Sequence, residues 1–239
     1  MQGVLSYSLY FLLLPLLPVI LRQGKSVKAN TLRLPEADGL RHNISENLNI
    51  STQANTLLHI GESTVAGVGV NDFQQGLTAN IIRNLNREYS WQAIGKNGAV
   101  IADINHDLMT AKLLCDPDVV VLTMGVNDTT SFTSRSAWKL GLLNCIEKIN
   151  SSTENQPRVC FTQVPPMHLF PALPFPLNQF LGLRAWQLDN ALQQTCLDQG
   201  WSHLKIKMPL EKQWMAEDGY HPNEIGYQKW AEQLAPLIK

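Results

Sequence analysis

The sequence predicts an α/β fold: a three-layer α/β/α sandwich around a five-stranded parallel sheet, preceded by an N-terminal transmembrane helix. Three observations predict it. Short apolar runs alternate with longer amphipathic ones from residue 56 onward. The clearest run, 118–124, is β-branched with no polar alternation, as a strand covered on both faces requires. Residues 4–21 form a nearly unbroken apolar stretch. Strand–helix alternation with short turns implies right-handed crossovers, hence parallel strands wrapped by helices.

Taken in order, the first element reads as a membrane anchor. Residues 1–21 carry no charged side chain, and a helix over 4–21 spans roughly 27 Å, near the hydrocarbon thickness of a bilayer. Pro15 and Pro18 are tolerated better in membrane helices than elsewhere. A cleaved signal is the rival, but the basic n-region is missing, and the only small-residue site, Val27-Lys28-Ala29, lies behind Arg22 and Lys25. The reading is therefore an uncleaved anchor or signal over 1–24. Arg22, Lys25, Lys28 and Arg33 flank its C-terminal side. That places the following domain on the cytoplasmic side, unless the cations lie on anionic headgroups of whichever leaflet they face.

Residues 25–55 are polar and aperiodic, a linker or a strap across the surface. A single domain then occupies 56–239. Strand one is 56–60, stopped by Gly61; Phe73, Leu77, Ile81, Leu85 and Tyr89 recur every four residues as an amphipathic helix. Strand two covers 91–94, and a helix follows through Ile101, Ile104 and Leu108. After strand three at 118–124, a helix carries Trp138, Leu142, Ile146 and Ile149. Strand four is 158–164, a long helix 181–199, and strand five 202–206. The last helix begins after Pro222, with Tyr227, Trp230, Ala231, Leu234 and Ile238 on one face.

Composition excludes several functions. The chain of 239 residues is 44% hydrophobic and 16% charged, too apolar for a disordered regulator. Its 19 Lys and Arg balance 20 Asp and Glu, so no basic excess offers itself to nucleic acid. The four cysteines show no metal-ligand spacing, and Cys145, Cys160 and Cys196 fall in apolar segments, where a thiol behaves as a small hydrophobe. Nor do His42, His59, His106 or His203 pair with Cys, Asp or Glu at a metal spacing.

In a parallel α/β sheet the ligand site lies at the C-terminal ends of the strands, and the unusual residues gather there. Strand one runs into Gly61-Glu62-Ser63-Thr64, strand two into Gly95-Lys96-Asn97-Gly98, and strand three into Gly125-Val126-Asn127-Asp128. Asp218-Gly219-Tyr220-His221-Pro222 precedes the last helix. Singly, each is ordinary turn or cap chemistry. Together they supply a hydroxyl nucleophile, a base with a carboxylate to orient it, and neutral donors for an oxyanion, the set that acyl transfer requires. Val65 breaks the G-x-S-x-G elbow, and Asp72 breaks a dinucleotide fingerprint.

These four blocks, in this order, resemble the SGNH (GDSL-type) hydrolases over roughly residues 56–238. The likeness extends to a proteobacterial subgroup with an N-terminal apolar segment, a GESTxAGVG first block and a Pro-rich stretch after strand four. One position departs: most members have aspartate where this chain has Glu62. The resemblance implies a flavodoxin-like SGNH fold, no cofactor and no metal. It implies Ser63 as nucleophile, His221 as general base and Asp218 as its orienting carboxylate. The backbone N–H groups of Ser63 and Gly98 and the side-chain amide of Asn127 would form the oxyanion hole. Asp128 reads as a structural carboxylate.

Residues 164–180 carry five prolines, three phenylalanines and no Asp, Glu, Lys or Arg, and they follow a strand C-terminus. An apolar loop at a site mouth reads as an acyl-pocket wall or membrane-facing lid, with Met167, Phe170, Leu173 and Phe175 as candidate substrate contacts. The alternative is ordinary core. The leading expectation is a serine esterase or lipase acting on acyl-lipid, lysophospholipid-type or thioester substrates. It would be anchored in a bacterial inner membrane by its N-terminal helix, with no nucleic-acid partner and no obligate protein partner. A carbohydrate O-acetyl esterase and a non-catalytic membrane-tethered binding module are the alternatives.

Overall fold

The computed structural model describes residues 13–44, 55–154 and 156–238. Its strands are β1 His42–Asn43, β2 Asn55–Gly61, β3 Tyr89–Gly95, β4 Val119–Thr123, β5 Arg158–Thr162 and β6 Ser202–Leu204. They form one sheet in the order β1-β3-β2-β4-β5-β6. Strands β2 to β6 run parallel, and β1 lies antiparallel on β3. The helices are α1 Leu17–Asn30, α2 Leu77–Asn84, α3 Ile101–Asp107, α4 Val126–Thr130, α5 Arg135–Ser151, α6 Leu177–Gln199 and α7 Glu224–Leu234.

The period-2 geometry of the strands divides the core in two. Leu57, Val119 and Val121 point to one face, where Leu77 and Ile81 of α2 and Tyr227 and Trp230 of α7 cover them. Leu58, Ile60, Val120 and Leu122 point to the other, covered by Ile101 and Ile104 of α3, Trp138 and Leu142 of α5, and Leu188 and Leu192 of α6. The chain leaves β2 toward β3 and then crosses back to β4 on the opposite side of β2. Between β2 and β4, therefore, the outgoing segments diverge to opposite faces and open a crevice at the strand C-termini.

Three expectations need correcting. The sheet has six strands and is mixed, not five parallel strands: β1 arises in the 25–55 strap and pairs His42 with Gln92 and Asn43 with Trp91. A two-residue strand is too short to leave a periodic signature.

The helix read through Phe73 to Tyr89 is shorter. Phe73 belongs to a separate 3-10 turn capped by Asp72, α2 ends at Asn84 with Leu85 already extended, and Tyr89 opens β3.

The third correction concerns the membrane anchor. Residues 1–12 lie outside the described residues. In the rest of the apolar run, Pro18 lies in the first turn of α1, where proline starts a helix readily. The helix continues through Arg22, Lys25 and Lys28 and buries Ile20 in the domain core. Among the described residues no helix is long and apolar enough to cross a membrane.

Candidate active site

The crevice brings together four segments distant in sequence. β2 ends at Gly61, and the Glu62 amide donates to the Thr123 carbonyl of neighbouring β4 at 3.3 Å, which ties the Ser63 turn to the sheet. His221 Nε2 lies 2.8 Å from Ser63 Oγ. On the other side of the ring, Nδ1 lies 2.5 Å from Asp218 Oδ2. Asp218 Oδ1 accepts the backbone N–H groups of Tyr220 (2.9 Å) and His221 (3.0 Å), an Asx-type turn that the D-x-x-H spacing builds locally. Burial alone would raise the Asp218 carboxyl. The hydrogen bond and charge of His221, with the two amides, outweigh it and hold the group below the usual carboxylate range.

The donors expected for an oxyanion also converge here. Gly98 sits at φ +79°, a left-handed conformation that glycine adopts without strain. Gly125, at φ +125°, turns the chain from β4 into α4, and a Cβ there would meet the Val164 side chain at 2.8 Å. Asn127 on α4 donates one amide hydrogen to the Ala99 carbonyl at 3.2 Å, which fixes its orientation and leaves its second hydrogen for a ligand. Among the described residues, the backbone N–H groups of Ser63 and Gly98 donate to no other backbone group. Ser63, Gly98, Asn127, Asp218 and His221 all line one cleft of about 840 Å³.

Glu62 is where the structure adds most to the sequence. Its two carboxylate oxygens accept the N–H groups of Val126 and Asn127, each at 2.9 Å. It thereby ties the Ser63 turn to the segment that carries Asn127. Its burial pushes the pKa up to about 7, against the pull of those amides, with nearby Asp128 adding to the rise. Asp128 is also buried, raised to about 6 chiefly by desolvation, and accepts the Ile101 N–H at the start of α3 at 3.0 Å.

A buried acid raised in the folded state binds more protons there than when unfolded. Its contribution therefore stabilises at low pH and is lost as pH climbs from the ordinary glutamate range through 7. Glu62→Gln removes that dependence. In urea unfolding, the wild type should lose about 2.5 kcal/mol more than the variant between pH 5 and pH 8, even if the variant is weaker at both. Parallel profiles would show that Glu62 does not titrate in this window.

Of the candidate substrate contacts, Met167, Phe170 and Leu173 are buried and line the cleft. Phe175 does not; it is 67% exposed. The other histidines lie elsewhere. His59 is sealed between Thr78 and Thr123 at 2.9 Å each, and burial lowers its pKa to about 3, so it is neutral. His203 pairs with Asp189, whose carboxylate also takes the Val164 amide at the end of β5. All four cysteines are free thiols, and no group of residues suited to hold a metal occurs among the described residues.

Sequence reasoning missed the N-terminal contribution. Ile20, Gly24, Val27 and Thr31 of α1 and its C-cap line the same cleft. The strap that follows holds the Gly98 loop: Glu36 accepts the Asn97 N–H at 2.6 Å and pairs with Arg41, while Asn97 Nδ2 donates to the Leu34 carbonyl at 3.2 Å. The 20, 24, 27 spacing of one helical face was present in the sequence, but it straddles the border between the apolar run and the polar segment that follows.

Comparison with known proteins identifies the fold that carries this crevice. A family model described as GDSL-like Lipase/Acylhydrolase matches residues 59–229. Among solved structures, a lipase/acylhydrolase from Enterococcus faecalis superposes with a TM-score of 0.60 at 19% identity, covering 77% of this chain and 95% of its own. The psychrotrophic esterase EstA from Pseudoalteromonas sp. gives 0.60 at 14% identity, covering 77% and 96%. A variant of Axe2, an acetyl xylan esterase from Geobacillus stearothermophilus, gives 0.56 at 14%, covering 77% and 94%. At such identities these likenesses establish the fold. No curated protein matches the chain.

Proposed function

The chain belongs to the GDSL-like lipase/acylhydrolase family of carboxylic ester hydrolases, and from that premise we propose that it cleaves acyl-lipid, lysophospholipid-type or thioester substrates through a Ser63–His221–Asp218 triad. What carries the reading is the continuous Asp218–His221–Ser63 hydrogen-bonded chain opening onto a cleft walled by Met167, Phe170, Leu173 and Leu177. Such a lining suits a hydrocarbon chain, while Lys25, Lys28 and Arg33 line the same cleft from the N-terminal side.

Ser63 Oγ attacks the acyl carbonyl carbon as His221 Nε2 takes its proton, and Asp218 stabilises the imidazolium that results. Charge on the tetrahedral oxygen is met by the N–H groups of Ser63 and Gly98 and the Asn127 amide. Collapse breaks the bond to the alcohol or thiol, which leaves with the proton from His221. Water then attacks the acyl-enzyme, His221 takes its proton, and the acid departs as Ser63 regains its hydrogen.

The outer face of the N-terminal segment supports delivery from a lipid surface. Leu14 and Val19 are exposed there, Leu17 and Leu21 are exposed where they line the cleft, and Leu169 and Phe175 of the Pro-rich loop are exposed as well. Arg22, Lys25 and Lys28 on the same helix suit anionic headgroups. On this reading α1 lies on an anionic membrane surface instead of spanning the bilayer.

An acyl-length series tests the proposal. Esters with long chains should be hydrolysed better than acetyl esters, and faster in anionic than in neutral vesicles. A preference for acetyl esters would move the reading to O-acetylated carbohydrate.

A further inference from the structure

We propose that α1 is one wall of the acyl site and that Gly24 sets the length of chain it accepts. This rests on the hydrolase reading above and goes beyond it, because α1 lies outside the residues, 59–229, that match the family. The inner face of α1 presents Ile20, Gly24 and Val27 to the cleft that Met167, Phe170 and Leu173 of the Pro-rich loop also line.

A tie holds the two walls together. Gln23 Nε2 donates to the Phe175 carbonyl at 2.7 Å, and its Oε1 accepts the Leu177 N–H at 3.2 Å. One side chain thus satisfies both backbone groups at the entry to α6 and sets the distance between helix and loop. The width of the slot is therefore decided by the side chains that face across it.

Gly24 lines the cleft and brings no side chain into it. It sits in the interior of α1, where glycine is less favourable than alanine, so local helix formation does not call for it. Neither does packing. A Cβ at Gly24 would meet nothing within 4 Å, whereas one at Gly182 of α6 would run into His168 at 2.6 Å. What the missing side chain leaves open is the cleft itself. Its apolar, uncharged lining at Ile20, Val27, Phe170 and Leu173 selects a saturated or unsaturated hydrocarbon chain, with the acyl carbonyl held at Ser63.

The experiment compares kcat/KM over a butanoyl-to-dodecanoyl ester series with one leaving group. It uses the full-length wild type, Gly24→Phe and Gly24→Leu, with Ala29→Phe as an equally bulky change at an exposed position of α1. Fluorophosphonate labelling of Ser63 confirms that each variant is folded. The dodecanoyl-over-butanoyl preference should fall about tenfold or more in Gly24→Phe, the loss expected when roughly two methylenes are kept from an apolar site. Gly24→Leu should fall in between, and Ala29→Phe should keep the wild-type profile. A labelled, active Gly24→Phe with an unmoved profile overturns the inference while leaving the hydrolase reading intact. Wild type that neither labels at Ser63 nor turns over any ester overturns both.

Discussion

Ser63→Ala is expected to lower kcat for ester hydrolysis by about 10⁶-fold, leaving only a residual rate about 10³-fold above that in water. In the mechanism we propose, the hydroxyl is the atom that forms the acyl bond and His221 takes its proton; the ring nitrogen lies 2.8 Å from it. Thr64, next in the chain, offers no substitute: its hydroxyl is buried and makes no hydrogen bond. His221→Ala should cost about as much as Ser63→Ala, and the double variant no more than either, because nucleophile and base act as a unit. On that mechanism the residual rate belongs to the proposed oxyanion donors, which both variants retain. Single-turnover kinetics with intact-mass detection of the acyl-enzyme checks this. A Ser63→Ala protein that still accumulates an acyl adduct would move the nucleophile to another residue.

Asp218→Asn carries the second largest effect, a fall of about 10⁴-fold in kcat. The structure says why an isosteric change should be so damaging. Oδ1 is committed to the two N–H groups of Tyr220 and His221, so the asparagine oxygen must occupy that place. Its NH₂ then faces Nδ1 of His221, where the carboxylate oxygen stood at 2.5 Å. A donor there forces the ring proton onto Nε2, and a protonated Nε2 cannot accept the hydrogen of Ser63. The fold should survive, because both backbone bonds to the turn remain. Near-wild-type melting together with the kcat loss is the expected pair of results. Activity within tenfold of wild type would mean that Asp218 serves only the turn.

Much of this was legible in the chain itself, for a physical reason. β-branched runs and 3.6-residue periods are local properties, so the parallel strands and their alternation with helices could be read without knowing what covers them. Once the sheet is parallel, strand ends converge. Ser63, Gly98, Asn127 and the Asp218-x-x-His221 pair then fall in one crevice without any distance being known. The His221–Asp218 contact is itself nearly local, since three residues of turn set it.

Other features depended on what distant segments do to one another. The apolar run at the N-terminus has a membrane-like composition, yet composition does not say whether a helix buries its apolar face in lipid or on its own domain. Ile20 in the core and Gln23 bound to residues 175 and 177 decide that for α1. Phe175 and Phe170 sit in the same Pro-rich loop, and only packing separates the exposed one from the one that lines the cleft. Glu62 shows the same division. Its place beside Ser63 is a matter of sequence, but its hold on the Asn127 segment, 65 residues away, exists only because β2 and β4 are neighbours in the sheet. The sequence by itself determined the α/β alternation and the meeting of Ser63, Asp218 and His221 at the strand ends, because both follow from local pattern and strand polarity. Tertiary structure alone decided which segments wall the site, because burial is settled between elements that carry no local record of each other.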